Sequence, residues 1–250
     1  MPSRPRSAAS WRSTLPASKP STDHFDRQFE LEVTLSERNK RAELDLLEDH
    51  LPGPGQTSFT RQQSPLGLGH AVWCARELVG DEPFALLLPD VLVQHSRGCL
   101  AQMMDVYRDN ANATNMIAVE EVPPERIDMY GVVGVGATIG KAFKITQMVE
   151  KPKREEAPSN LIITGRYILQ PEIFAILENQ PRGAGGEIQL TDAMIRLAEE
   201  QPFLGFKFAG QSFDCGSKIG FLAANVSYAL ARPDIAPDFR AELKRILKES

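Results

Sequence analysis

The sequence predicts an α/β fold, a sheet flanked by helices. From His70 to Val122, helical patterns alternate with apolar strand-like runs, the order expected of parallel strands joined by crossover helices. From Tyr130 to Leu169, three strand-like runs then follow one another with only short turns between them. With 250 residues, 42% of them hydrophobic, the chain is long enough for one large α/β domain or two small ones, with ample core.

Residues 1–22, MPSRPRSAASWRSTLPASKPST, stand apart as an atypical N-terminal segment. They are mostly Ser, Pro, Arg and Ala without a helical or strand period. Their Arg- and Ser-rich, acid-free character superficially suits a transit peptide, but four prolines break any amphipathic helix, so a disordered tail is expected. Residues 23–250 read as a single domain. It opens with two helical stretches, in which Phe25, Phe29 and Leu31 come early and Leu44, Leu46 and Leu47 late. PGPGQ (52–56) breaks that pattern. A short strand is expected over TSFTRQ (57–62), a glycine loop over SPLGLG (64–69) and a helix over residues 70–80 ending at Gly80.

FALLLP (84–89) reads as a buried strand with Asp90 at its end. Residues 99–109 read as a helix and 114–122 as another strand. Strands are expected over 130–136, 143–151 and 161–169. A helix over 171–179, a loop PRGAGG, a helix across 187–201 and a strand over 203–210 follow. Two terminal helices, over 220–232 and 237–250, close the chain.

Composition excludes several classes. A net charge of -5 argues against a broad nucleic-acid surface. Three widely spaced cysteines, Cys74, Cys99 and Cys215, make neither a disulfide framework nor a zinc knuckle and suit a reducing cytoplasm. No apolar run approaches the roughly 18 residues of a membrane span, and no signal-peptide core follows Met1. The expectation is a cytoplasmic protein that uses neither membrane nor nucleic acid.

The chemistry-bearing signals lie where strands end. In LLLPDVLV (86–93) a carboxylate, Asp90, sits within an aliphatic run. Unpaired buried carboxylates are costly, so such a group pairs, holds a metal or points into a cleft, and ligands of open α/β sheets bind at the strands' carboxyl ends. A turn or helix-capping role is the plain structural alternative. RQQSPLGLGHA (61–71) sets Gly67 and Gly69 before a helix, where backbone N–H groups approach a ligand or merely make a tight turn. MVEKPK (148–153) delivers Glu150, suited to sugar hydroxyls, and Lys151, suited to phosphate; alone, they make an ordinary solvated pair. GAGGEIQLTD (183–192) places Glu187 after a glycine loop, and FDCGSK (213–218) adds Asp214 and Lys218. Asp90 and Asp214 are two carboxylates for one divalent ion, with Mg2+ preferred over zinc because the donors are hard oxygens. GVGATIG (134–140) lacks the βαβ context of a dinucleotide fingerprint and reads as a hairpin or loop.

Taken in order, DHFDRQFELE, RQQSPLGLGHAV, GDEPFALLLPDVLV, YGVVGVG, MVEKPK with EEAPSNLIITGRYIL, GAGGEIQLTDA and FDCGSK resemble the bacterial UTP–glucose-1-phosphate uridylyltransferases (UDP-glucose pyrophosphorylases). The resemblance implies a sugar nucleotidyltransferase fold, a Rossmann-like mixed sheet flanked by helices. It implies the reaction of UTP with glucose 1-phosphate to UDP-glucose and pyrophosphate, by in-line attack assisted by Mg2+. By that resemblance Gln62 and Gly67 meet the uracil end, Gly131 and Glu150 hold the glucose hydroxyls, and Lys151 meets the phosphates. Asp90 and Asp214 ligate Mg2+, and Glu187 and Lys218 line the site.

The family opens with a strand and a G-x-G-T-R loop that residues 1–22 do not match, so an N-terminally truncated member lacking that strand and loop is expected. The alternatives are a sister enzyme using dTTP or a different sugar 1-phosphate, a non-catalytic sugar-nucleotide-binding remnant and, least favoured, a nicotinamide enzyme. The resemblance also implies a homo-oligomer with the C-terminal helices as one contact.

Overall fold

The computed structural model describes residues 25–110 and 114–249; the segment 1–22, and with it the question of a family opening strand and loop, lies outside the described residues. Two units are distinguished: the described residues up to Phe84 with Pro171–Ala193, and Ala85–Gln170 with the rest of the chain from Met194.

In the first unit the charged early segment folds as the expected helical pair, α1 (Phe29–Glu37) and α2 (Arg41–His50), turning at Asn39. Arg27 clamps the start of α1 by donating to the Glu32 carboxylate from Nε (3.1 Å) and Nη2 (2.5 Å). The strand expected over 57–62 is absent: Thr60 Oγ1 reaches Cys74 O (3.3 Å), but this stretch joins no strand ladder. Strand propensity without a neighbour to pair with does not make a strand. The helix expected over 70–80 is two short ones, α3 (Leu68–Trp73) and α4 (Arg76–Val79). Between them Ala75 N bonds Val72 O (2.9 Å) and Leu78 N bonds Ala75 O (2.8 Å), tightening the backbone to an i→i+3 pattern. Helix α6 (Ile173–Glu178) packs Leu177 toward α3 and stacks Phe174 on Phe84, with ring centroids 5.1 Å apart.

The second unit is built on a six-stranded mixed sheet in the order β1-β6-β3-β7-β5-β4. Its strands are β1 (Phe84–Leu87), β3 (Asn115–Glu121), β4 (Gly131–Ile139), β5 (Ala142–Glu150), β6 (Leu161–Leu169) and β7 (Phe203–Lys207). The mixed sheet is as expected, but the parallel component is small. β3 and β7 run parallel, while β3–β6, β4–β5, β5–β7 and β4–β6 run antiparallel. The tight turn between β4 and β5 leaves no room for a crossover helix, so that pair runs antiparallel. GVGATIG, expected as hairpin or loop, largely continues β4 into a β-hairpin with β5.

Helix α5 (Cys99–Asp109) turns Cys99, Met103, Val106 and Tyr107 inward at helical spacing. They join Met116, Ala118, Ile168, Leu204, Phe206 and Phe208 in one core cluster. A smaller cluster of Val122, Ile127, Val132 and Ile162 lies beside the 3-10 turn Pro124–Met129. Helices α7 (Leu190–Leu197), α8 (Lys218–Ala231) and α9 (Ala236–Glu249) complete the described chain.

Beyond the expected elements there is a small antiparallel sheet of β2 (Val91–Gln94) and β8 (Gln211–Asp214), with Val91 opposite Asp214. FALLLP therefore ends as a strand at Leu87, and LLLPDVLV is two strands joined by a turn. The fold positions Asp90 in that turn.

Candidate active site

Asp90 is exposed, contrary to what its aliphatic neighbours suggest. The turn carrying it is held from beneath by Arg166 of β6, whose Nη1 donates to Leu88 O (2.6 Å) and whose Nη2 donates to Val91 O. Because β2 pairs with β8, the turn also lies beside the chain leaving Asp214, and Cys215 N donates to Asp90 O (2.6 Å). A Cβ placed on Gly216 would stand 3.0 Å from Asp214 Oδ1 and 3.4 Å from Asp90 Oδ2. Two carboxylates more than 100 residues apart in sequence thus face one small space.

Asp214 is itself tethered. Its Oδ1 accepts from Gly216 N (3.0 Å), its backbone oxygen accepts from Ser217 Oγ (2.9 Å), and Tyr130 Oη approaches Oδ2 at 3.5 Å. Ser217 caps α8 by accepting from Gly220 N, which sets Lys218 exposed at the first helical position.

Tyr130 ties this end to the Glu150–Lys151 strand end. Its carbonyl accepts from Lys151 N (3.1 Å), and Gly131, the next residue, is the register partner of Glu150. A side chain at Gly131 would come within 3.1 Å of Glu150 Oε2, so glycine keeps the space before that carboxylate open. Lys151 has a left-handed φ of +45°, followed by buried Pro152. Arg126 Nη2 donates to Tyr130 Oη (2.8 Å). The structure thus brings Asp90 to Asp214, and Gly131, Glu150 and Lys151 to one strand end linked through Tyr130.

The remaining expected residues belong to the first unit. There, two glycine motifs distant in sequence form one locked pair of loops. Ile188 N donates to Leu66 O (2.7 Å) and Gly69 N to Ile188 O (2.8 Å). Gly67 has φ +99°, and a Cβ there would stand 2.7 Å from Glu187 Cβ and 2.9 Å from Ile188 O. Close backbone approach therefore demands glycine. Gln62 Nε2 donates to Gly67 O (3.0 Å) and lies 2.9 Å from His70 Nδ1, so Gln62 is held against the glycine loop. Glu187 is exposed and accepts from Gln189 Nε2 (3.3 Å).

Sequence reasoning missed Arg166, Tyr130 and His70. Arg166 gave the same signal as Asp90, a lone charge in an apolar run, LIITGRYIL. Tyr130 and His70 gave none beyond adjacency to singled-out glycines.

Among the described residues no group of three His, Cys, Asp or Glu side chains is placed to hold a metal ion. The two carboxylates around Gly216 nevertheless fit a hard divalent cation that takes its other ligands from phosphate oxygens and water, as Mg2+ commonly does. No helix among the described residues is long and apolar enough to cross a membrane.

Comparisons with known proteins identify the family. The model of a nucleotidyl transferase family matches residues 27–230. A UTP–glucose-1-phosphate uridylyltransferase of Staphylococcus epidermidis is 42% identical over 226 residues, spanning 90% of this chain and 77% of that protein. Among solved structures, a UTP-bound UGPase from Acinetobacter baumannii superposes with a TM-score of 0.81 at 40% identity, covering 91% of this chain and 79% of the other. A UDP-glucose pyrophosphorylase complexed with UDP-glucose gives 0.72 at 35% identity, covering 84% and 76%.

Proposed function

We propose, since the chain belongs to the nucleotidyl transferase family and groups there with the UTP–glucose-1-phosphate uridylyltransferases, that it converts UTP and glucose 1-phosphate to UDP-glucose and pyrophosphate. A phosphate oxygen of glucose 1-phosphate bonds to the α-phosphorus of UTP. The bond from that phosphorus to the oxygen bridging to the β-phosphate breaks, and pyrophosphate leaves with the electron pair. No covalent enzyme intermediate is needed, so the chain's task is to orient the reactants and balance charge.

The observation that supports this placement best is the shared space at Gly216, faced by Asp90 and Asp214. These two residues would hold Mg2+, which neutralises phosphate charge when bound. Lys151 donates to phosphate oxygens as a point charge, and Glu150, left room by Gly131, accepts hydrogen bonds from glucose hydroxyls. Gln62, with Nε2 engaged by Gly67 O, offers Oε1 to the imide N–H of uracil, and Gly67 and Glu187 line that end. Lys218, at the start of α8, is a further cation on the Asp214 side. A cytoplasmic setting and a homo-oligomer belong to the same reading. The unpaired state of Cys74, Cys99 and Cys215 supports the first, and exposed Ile219, Phe221 and Leu222 on α8 support the second.

The test is pyrophosphate release from UTP and glucose 1-phosphate by the purified chain, with and without EDTA. Release should stop in EDTA, and Asp90→Asn or Asp214→Asn should lower kcat about 100-fold. Equal turnover with dTTP would make it a sister enzyme. Saturable UDP-glucose binding with no pyrophosphate release would make it a binding protein.

A further inference from the structure

We infer that Arg166 is a positioning residue for Asp90: one buried guanidinium grips the backbone on both sides of that aspartate and fixes where its carboxylate stands. The inference rests on the reading of Asp90 as a ligand of the divalent ion.

Arg166 is 8% exposed and sits in β6 within the buried run Thr164–Leu169. A buried guanidinium is costly unless its donors are bonded, so its partners indicate what it does. Nη1 donates to Leu88 O (2.6 Å) and to Gly165 O (3.2 Å), and Nη2 donates to Val91 O. Leu88 precedes Asp90 by two residues and Val91 follows it directly, so the planar fork spans the turn. Leu88 N is in turn bonded to Gly165 O (2.9 Å), and Asp90 O accepts from Cys215 N. The Asp90 peptide is thereby fixed to β6 on one side and to the Asp214–Gly216 segment on the other. Its side chain is left exposed toward the space at Gly216.

Charge supports the same assignment. The groups whose fields favour the Arg166 cation against its desolvation are Cys99, Asp90 and Tyr167. Burial pushes the Cys99 thiol up to about 11 and pushes the Tyr167 hydroxyl up as well, so both are neutral at ordinary pH. Of these three, Asp90 alone supplies a countercharge. A lysine could supply the positive charge but not the rigid two-armed grip.

Mn2+ binding to the protein–UTP complex, followed by the EPR signal of free Mn2+, separates grip from charge. Arg166→Lys keeps the charge and loses the fork, Arg166→Gln loses both, and Asp90→Asn removes the proposed ligand. Thermal midpoints identify folded variants, and UDP-glucose affinity is measured in EDTA. Arg166→Lys should weaken Mn2+ binding about 10-fold, the effect expected of losing a group that orients a ligand, with UDP-glucose affinity unchanged. Arg166→Gln should bind Mn2+ no better than Arg166→Lys.

Parent-like Mn2+ binding by a folded Arg166→Lys chain would overturn the inference. So would an equal loss of UDP-glucose affinity, which reports general distortion. Parent-like Mn2+ binding by Asp90→Asn would instead remove the ligand assignment on which the inference stands, whatever Arg166 does.

Discussion

Lys151 and Asn39 are the two non-glycine residues with positive φ among those described. For a long side chain the left-handed region costs on the order of 1–2 kcal/mol, and such strain persists where the surroundings over-determine it. The bond from Lys151 N to Tyr130 O and the buried Pro152 that follows are those surroundings. Lys151→Gly should therefore leave stability unchanged or raise it by up to about 1 kcal/mol, relieved strain outweighing the lost chain entropy. It should also lower kcat about 100-fold by removing the ammonium. Urea unfolding and pyrophosphate release read the two halves separately, and a variant that is both less stable and fully active would contradict both. At this scale the candidate residues were legible as candidates: Asp90, Glu150, Lys151 and Asp214 announce themselves as charges at strand ends. Arg166 gives the same signal of a lone charge, but not its role, which lies in two carbonyls, of Leu88 and Val91, that no side-chain pattern reveals.

Elements with one strongly apolar face were readable because burial imposes its period on sequence. Helix α5 was predicted to the residue, since Cys99, Met103, Val106 and Tyr107 repeat at helical spacing. Strand β2 was not foreseen, because its pairing with β8 is a contact across more than 100 residues and its four residues look like a continuation of β1. The strand expected over 57–62 failed for the converse reason, propensity without a partner. Sheet packing also hides in single glycines. Gly205 of β7 lies opposite Phe143 of β5, and a Cβ there would stand 2.3 Å from Phe143 Cζ. The ring covers the bare backbone in the manner of an aromatic rescue. Gly205→Ala should cost about 1–3 kcal/mol through overpacking, measured by urea unfolding. Adding Phe143→Leu should recover part of that loss, whereas strictly additive losses would show that the two do not share the space. The loop pair at Gly67 behaves likewise. Gly67→Ala, strained at φ +99° and pressed on Ile188 O, should destabilise by about 1–3 kcal/mol and raise KM for UTP more than for glucose 1-phosphate.

For the whole molecule, the α/β class followed from alternation, but strand order did not. β7 is inserted between β3 and β5, and β4 touches both β5 and β6, arrangements that depend on distant pairings rather than local period. One consequence of the assembled core reaches overall stability. Cys99 ordinarily titrates near 9.0, but burial in the core raises it to about 11 in the fold. Tyr167, wholly buried in β6, is also raised above its usual 10.0, chiefly by burial. Below about pH 9 both groups keep their protons in the folded and unfolded chains alike and contribute no pH dependence. Between about 9 and 11 the unfolded chain releases the thiol proton while the folded chain retains it. The unfolded state then binds fewer protons and gains free energy over the fold as pH rises. The tyrosine extends the same trend from about pH 10 upward. The urea midpoint should therefore be insensitive to these groups from pH 7 to 9 and fall steadily above it. In Cys99→Ala the chain should start less stable, from the lost packing, yet lose less stability between about pH 9 and 11, since only Cys74, whose thiol burial also raises, and the tyrosine then contribute. An equal loss of stability in parent and variant across that range would show that the Cys99 thiol is not held protonated by the core.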